Sequence, residues 1–445
     1  MRSKKNKADK YKPEDYEIWS WPLPPSGDLN DYGPTDMQEP LFIYHKEEWE
    51  RPHFHTLDIV LMIGAAAGGK CWQRGTKILT YRGKLVNVED IKVGDLLMGP
   101  DSKPRKVTSL GRGREPMAKI VPLNGEPFVC NESHILTLER SIYAPMKRVR
   151  KDGSIYIKPP RYGGDKIINV SVKDYLTWST TKKKHFKLYR ADSIDFPGSK
   201  AHLELDPYLL GAWLGDGSSN CAAITTMDPE IRQAFQDYVD THDGVHLRVG
   251  EAAGRATTYY ITRGMEHRTA NSFHESLKTL GVLRNKHIPQ QYKTASREDR
   301  LQLIAGLLDT DGYYHNRHFD ITQKNKSIAE DIAFICRSLG FAAYVKEIQK
   351  SCMTASGKLT GTYYAVDISG DLNLIPTRLP RKQAEPRKSI KSVLHTGFSV
   401  EMLPEDDYYG FSVDKDSLYL LGDFTVVHNS AATIAETIEV AAAFP

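Results

Sequence analysis

Gly64-Ala65-Ala66-Ala67-Gly68-Gly69-Lys70 runs directly into Cys71, and far downstream His428-Asn429 runs directly into Ser430. A phosphate-binding loop needs Ser or Thr after its Gly-Lys, to place a hydroxyl on Mg²⁺, and Cys71 does not supply one. With residues 71–429 left out, Lys70 is followed by Ser430 and the pattern G-x-x-x-x-G-K-[ST] is complete. The flanks suit it. Leu57-Asp58-Ile59-Val60-Leu61-Met62-Ile63 has the run of a buried strand, and residues 430–443 are rich in helix formers. The sequence therefore describes a phosphate-loop ATPase interrupted at its loop. The interrupting segment begins with Cys and ends with His-Asn before Ser, the residues that a self-excising segment requires.

Composition sets the limits around this reading. A chain of 445 residues holds two to four domains, and its 26% of charged residues is ordinary for soluble globular protein. The net charge of +4 is mild. It hides basic clusters at Lys147-Arg148-Val149-Arg150-Lys151 and Lys182-Lys183-Lys184, which taken alone read as solvated faces. No apolar run approaches the roughly 20 residues of a membrane span, and the N-terminus lacks the apolar core of a signal peptide. A cytoplasmic protein with no membrane partner is expected. The five cysteines (71, 130, 221, 336 and 352) include no C-x-x-C pair, so neither a disulfide framework nor a zinc site is suggested.

Along the chain, residues 1–50 are charged and rich in Pro and aromatics, and read as an extended, poorly ordered arm. From Cys71 to about residue 200, short strand patterns alternate with Gly and Asn-Gly turn signals, implying an all-β unit. Matching strand patterns return at 397–402, 409–413, 417–421 and 424–428. One β domain assembled from both ends would bring Cys71 next to Asn429. Between them the pattern changes, and it occurs twice. Leu209-Leu210-Gly211-Ala212-Trp213-Leu214-Gly215-Asp216-Gly217 and Ile304-Ala305-Gly306-Leu307-Leu308-Asp309-Thr310-Asp311-Gly312 are helices ending in Asp-Gly. Each is followed by a strand-like stretch and a polar helix, which makes an internal repeat.

The chemistry of the ends follows from the residue types. A Cys71 thiolate can attack the Lys70 carbonyl and turn the peptide into a thioester. The departing amide nitrogen needs a proton, and His134 is the candidate acid. The Ser430 hydroxyl can take the acyl group from sulfur. The Asn429 side chain can then cyclise onto its own carbonyl with His428 assisting, and an O-to-N shift leaves Lys70 joined to Ser430. Taken singly, a buried Cys, a structural His or an Asn-Ser turn explains each residue; it is their coincidence with the healed phosphate motif that favours splicing.

Here the resemblance becomes plain. Residues 71–429 resemble an intein with an embedded homing endonuclease. Cys71 with Gly75-Thr76-Lys77-Ile78 and Val93-Gly94-Asp95 resembles the family's first block, and Phe128-Val129-Cys130-Asn131-Glu132-Ser133-His134 its second. Tyr408–Val413 and Phe424–Asn429 resemble the last. Asn131 stands where that second block usually has Thr, and Ser417 and Gly410 occupy places where the last block often has a polar catalyst. The repeat resembles the LAGLIDADG endonucleases, in which two such helices pack across a pseudo-twofold through small residues. Gly211, Ala212, Gly215, Ala305 and Gly306 suit that contact. The resemblance implies Asp216 and Asp311 as ligands of a divalent metal, expected to be Mg²⁺, over a phosphodiester. Asp309 is expected to be structural. Lys286, in a further block, and Lys324 are alternatives for a cationic aid.

The resemblance implies a mainly β, horseshoe-like Hint splicing domain and an α/β pseudo-symmetric LAGLIDADG endonuclease, flanked by short P-loop fragments. The expected boundaries are 1–70 for the upstream flank, 71–200 and 373–429 for the two parts of the splicing domain, 201–372 for the endonuclease, and 430–445 for the downstream flank. Catalytic roles fall to Cys71, Asn131, His134, His428, Asn429 and Ser430 in splicing, which takes no cofactor, and to Asp216 and Asp311 in cutting. Gly64, Gly69, Lys70 and Ser430 would hold ATP and Mg²⁺ only after joining. The expected partner is double-stranded DNA at the uninterrupted insertion site, cut by a monomer with two like halves. The flanks resemble phage terminase large subunits, which places the protein in a bacterial cell, phage-encoded and assembling with packaging proteins. A helicase or another P-loop ATPase as host, and a Hint protein that cleaves without ligating, remain open.

Overall fold

The computed structural model describes residues 71–429 apart from 142–145, 151, 153, 159–164, 200–201, 254–255, 265–270, 355–356 and 390, together with 16–20 and 41–45. Gly64, Gly69, Lys70 and Ser430, and the strand and helix expected beside them, lie outside the described residues. Within the expected arm, Tyr16–Ser20 and Leu41–His45 pair antiparallel, with Ile18 opposite Ile43 and Trp19 opposite Phe42. That strand pair departs from the extended arm expected of this stretch.

The β part is built from both ends of the insert. Its five-stranded sheet runs in the order Phe398–Val413, Cys71–Gln73, Phe128–Asn131, Pro104–Pro122, Leu96–Met98. The strands Phe398–Val413 and Pro104–Pro122 also pair with each other over nearly their whole length, from Phe398 opposite Pro122 to Val413 opposite Val107. The two patterns at 397–402 and 409–413 are thus one strand. Pro404 lies within it because the register shifts between Leu403 and Glu405, and a bulged position need not donate to the ladder. Trp72, Leu97, Val107, Phe411, Tyr419 and Val427 close one core from both ends of the segment. A second sheet holds Ile167–Ser171, Ile135–Arg140, Phe186–Tyr189 and His395–Thr396. The region 71–200 is not wholly β. Val172–Thr177 and Thr180–His185 are short helices, started by Ser171 and Ser179 side chains that accept from Asp174 N and Lys182 N.

Between these strands stand the two helices of the repeat, Pro207–Asp216 and Arg297–Asp311. Each begins at a side-chain cap, Asp206 accepting from Leu209 N at 3.0 Å and Ser296 from Asp299 N at 3.1 Å. Residues 207–214 are buried on every side, so the first helix is a core helix rather than an amphipathic one. The two pack backbone to backbone. A Cβ on Gly211 would collide with the Leu303 carbonyl oxygen, and one on Gly306 with the Tyr208 carbonyl oxygen. After the first helix comes a sheet of Ala223–Thr226, Ala256–Arg263 and Val245–Ala253, with the helix Pro229–Asp240. After the second come Gly312–His315, His318–Gln323, Gly357–Ser369 and Ala342–Thr354, with the helix Lys326–Ser338. Among the described residues, no helix is long and apolar enough to cross a membrane.

Candidate functional site

Cys71 opens its strand fully buried, opposite Gly410. Its backbone N–H donates to Asn131 Oδ1 at 2.9 Å. That oxygen is the one presented because Asn131 Nδ2 donates to Glu115 Oε2 at 2.8 Å. A carboxylate therefore fixes the amide's orientation, and the amide grips the nitrogen of the bond between residues 70 and 71. Asn131 thus meets the junction at the place where the resemblance expects Thr. His134 follows in the turn after that strand, its N–H donating to Asn131 O at 3.0 Å. Its ring is buried against Trp72, with centroids 4.2 Å apart. Cys130, diagonal to Cys71, is a packing residue: burial, helped by the neighbouring Cys71 thiol, pushes its own thiol far above the usual range.

The downstream end reaches the same sheet through aromatic side chains. Val426–His428 pairs with Leu418–Leu420, and Tyr419, in the latter, accepts a 2.6 Å bond from Trp72 Nε1. The bond joins the residue beside Cys71 to the strand beside His428. Asn429 is almost wholly buried, and its N–H donates to Ser417 O at 2.8 Å. Among the described residues its Nδ2 finds no hydrogen-bond acceptor. The two positions that depart from the family pattern, Gly410 and Ser417, touch the junction residues through backbone.

A second centre lies where the two packed helices end. Asp216 and Asp311 close the helices Pro207–Asp216 and Arg297–Asp311, and both are exposed on one side. Desolvation by the packed helix ends first, then the Asp311 charge, push the Asp216 carboxyl up to about 6, while Lys286 and Lys382 pull the other way. Asp311 accepts from Gln323 Nε2 at 2.8 Å. Lys286 Nζ donates to the carbonyls of Leu214, Gly215 and Gly217 at 2.9, 3.1 and 2.8 Å. Lys382 Nζ donates to those of Leu308, Asp309 and Thr310 at 2.8, 2.7 and 3.2 Å. Each lysine caps a helix C-terminus and faces the carboxylates, although burial lowers the proton affinity of both. Lys324, the other candidate in the sequence, is exposed in the turn before Lys326–Ser338. Asp309 is buried among Tyr208 OH and the Arg378 and Leu379 amides at 2.9, 2.7 and 3.4 Å, a structural link rather than an open carboxylate.

Residues 71–203 match the Hom_end-associated Hint family, and residues 287–378 match the homing endonuclease family. The chain carries a Hint domain and a homing endonuclease. Those domains are the seat of autocatalytic splicing and of DNA cleavage. The Hint match contains Cys71, Asn131 and His134, and the endonuclease match contains Asp311. The replicative DNA helicase DnaB of Mycobacterium intracellulare is 27% identical over 391 residues, covering 83% of this chain and 60% of that protein. The catalytic polypeptide of the V-type proton ATPase of Candida tropicalis is 21% identical over 88% of this chain and 46% of its own length. The chain therefore spans about half the length of these relatives. A solved variant of the homing endonuclease I-DmoI aligns with 37% of this chain and 88% of its own at 14% identity, with a TM-score of 0.26.

Lys382 was missed in the sequence because it lies beyond the repeat and has no place in either motif. It reaches the helix end only through the fold. Glu115 and Tyr419 were missed for the same reason.

Proposed function

We propose that residues 71–429 excise themselves and join Lys70 to Ser430, and that the endonuclease cuts double-stranded DNA at the uninterrupted insertion site. In the first step the Cys71 thiolate attacks the Lys70 carbonyl carbon. The C–N bond breaks, and the nitrogen held by Asn131 takes a proton from His134. The Ser430 oxygen then attacks the thioester and releases the Cys71 thiol. Asn429 Nδ2 attacks its own carbonyl carbon, breaks the bond to Ser430 and leaves a cyclic imide on the excised segment. The freed Ser430 amine finally displaces the ester oxygen to give an ordinary peptide. One observation carries this reading: the Trp72–Tyr419 hydrogen bond ties the downstream end of the insert to the sheet that holds Cys71. Ligation rather than cleavage alone is supported by a buried Asn429 whose Nδ2 finds no acceptor among the described residues.

The donor set at the helix ends suits a divalent cation. Two carboxylates, one raised by desolvation and by the other's charge, form an arrangement that a hard cation relieves. Asp216 and Asp311 would hold it, Mg²⁺ in the first instance, and its charge would steady the developing negative charge on phosphate oxygens. Lys286 and Lys382 place positive charge beside the carboxylates. The two helix ends act as pseudo-symmetric halves of one monomer, within a horseshoe-like splicing domain assembled from 71–200 and 373–429.

For the flanks the reading is a P-loop ATPase, active on ATP and Mg²⁺ only after joining. A phage terminase large subunit, working in a bacterial cytoplasm with packaging proteins, fits the Gly- and Ala-rich loop. A DnaB-like helicase is the other candidate host, the mycobacterial relative being a replicative helicase. That relative and the Candida proton ATPase differ in stated activity, yet each aligns with more than four-fifths of this chain, so the shared part is the insert.

Intact-mass spectrometry of freshly made protein is the test. Precursor, excised segment and joined flanks are expected together in the wild type, and only precursor in Cys71→Ala/Asn429→Ala. Joined flanks appearing at the wild-type rate in that double variant would overturn the splicing mechanism.

A further inference from the structure

The strand Val426–His428, which leads into Asn429, does not rest on the Hint sheet alone. It leaves a tight turn at 421–425, where Phe424 N donates to Leu421 O at 2.9 Å and Phe424 takes a φ of +68°. A left-handed phenylalanine is strained and needs outside support. The support comes from the endonuclease. The Phe424 ring is fully buried and meets Phe334, on the helix Lys326–Ser338, edge to face at 5.2 Å. Phe334 is itself stacked on Phe196 at 6.0 Å. One residue earlier, Asp423 accepts from Arg190 Nη2 at 3.2 Å, and Arg190 Nη1 donates to Tyr344 OH at 3.1 Å on the endonuclease strand Ala342–Thr354. Arg337, from the same helix as Phe334, adds a second positive charge toward Asp423. Leu420, Phe424 and Val426 accordingly belong to the core that holds the endonuclease helices together with Leu79 and Met98, and not to the core around Trp72.

We propose that the endonuclease helix Lys326–Ser338, through Phe334, is a positioning element for the downstream splice junction: it holds the 421–425 turn and thereby sets where Asn429 sits. The inference rests on the splicing reading above. It makes the two domains unequal partners in splicing. The Cys71 N–H is held by Asn131 and its strand by Phe398–Val413, both outside the endonuclease. The endonuclease is therefore needed for cyclisation of Asn429 and not for the first acyl shift.

The experiment uses the full chain with Phe334→Ala, Phe334→Leu and Asp423→Asn. Cleavage after Lys70 by added thiol reports the first step, and release of residues 430–445 reports the last. Misplacing a reacting group by about 1 Å slows a reaction by up to ~100-fold. Phe334→Ala is expected to slow release of 430–445 by about tenfold or more while thiol-induced cleavage after Lys70 stays within about twofold of wild type. Phe334→Leu should restore most of the lost rate, and Asp423→Asn should act in the same direction as Phe334→Ala from the other side of the contact. The inference is overturned if both cleavages fall together in Phe334→Ala, or if neither changes, in a background where the wild type splices. A wild type that releases nothing at either end overturns the splicing reading as well, and so is distinguishable from failure of this inference alone.

Discussion

The two helix ends of the repeat share a scaffold and differ in what surrounds their carboxylates. Both acids reach solvent. Asp216 is nonetheless raised to about 6, by desolvation against the helix ends and by its neighbour's charge. Asp311 accepts a hydrogen bond from Gln323. Their lysines are alike, each spanning three carbonyls of a helix C-terminus. The difference teaches that a duplicated motif fixes the backbone of each helix end, while the lysine that caps it and the groups around its acid are brought by the rest of the fold.

The largest expected effect tests whether both acids are needed. Asp216→Asn and Asp311→Asn should each lower DNA cutting on the order of a thousandfold, a loss of several kcal/mol of transition-state stabilisation, while a binding assay on the same DNA is retained. Splicing of both variants should continue at the wild-type rate by intact mass. Substantial cutting by Asp311→Asn alone would mean that the halves are not equivalent.

Next in size is the lysine pair. Lys286→Met and Lys382→Met each remove charge-assisted hydrogen bonds worth about 1.5–3 kcal/mol, so cutting should fall about 10- to 100-fold and the unfolding midpoint should drop. Similar losses from both would make the cations functional twins. Loss of stability without loss of cutting at one of them would reduce it to a cap.

The raised Asp216 carboxyl predicts a pH effect. Asp216 has a raised folded value, so its native state binds a proton that the unfolded state has already released. Ionising it therefore opposes folding as pH rises from the ordinary carboxylate range of ~4 through about 6. In metal-free protein Asp216→Asn should add about 1 kcal/mol of stability above pH 6, the part left after screening by the water this carboxylate faces. It should add nothing below pH ~4, where both states are protonated. Denaturant titrations across that range measure it. A flat difference would show that desolvation does not penalise this carboxylate. The smallest effect on cutting belongs to Gln323→Leu. Removing one neutral donor costs about 1 kcal/mol, a few-fold in cutting, and should raise the metal concentration needed rather than the limiting rate.

What could be read from the chain follows the range of the interaction. Asp216, Asp311 and the glycines between the helices were legible because the motif is local and occurs twice, and Gly211 and Gly306 stand where backbones touch. The junction residues were legible through the broken phosphate loop. Lys382, Glu115, Tyr419 and Phe334 were not, because each acts on a residue remote in sequence, and periodicity carries no record of such pairs. The continuous strand Phe398–Val413 was hidden by Pro404, which local propensity reads as a stop and the bulge accommodates.

The pairing of Cys71 with Gly410 has a consequence in time. On the ribosome, the strand that carries the nucleophile leaves the exit tunnel hundreds of residues before the strand that flanks it. At a synthesis rate of about 5–20 residues per second the delay is on the order of tens of seconds. Throughout it Cys71 lacks Gly410 across the sheet and Trp72 lacks Tyr419, although Asn131 and His134 are already made. The order of the chain thus spaces the two junctions in time: the upstream one begins to assemble long before Asn429 exists to be cyclised.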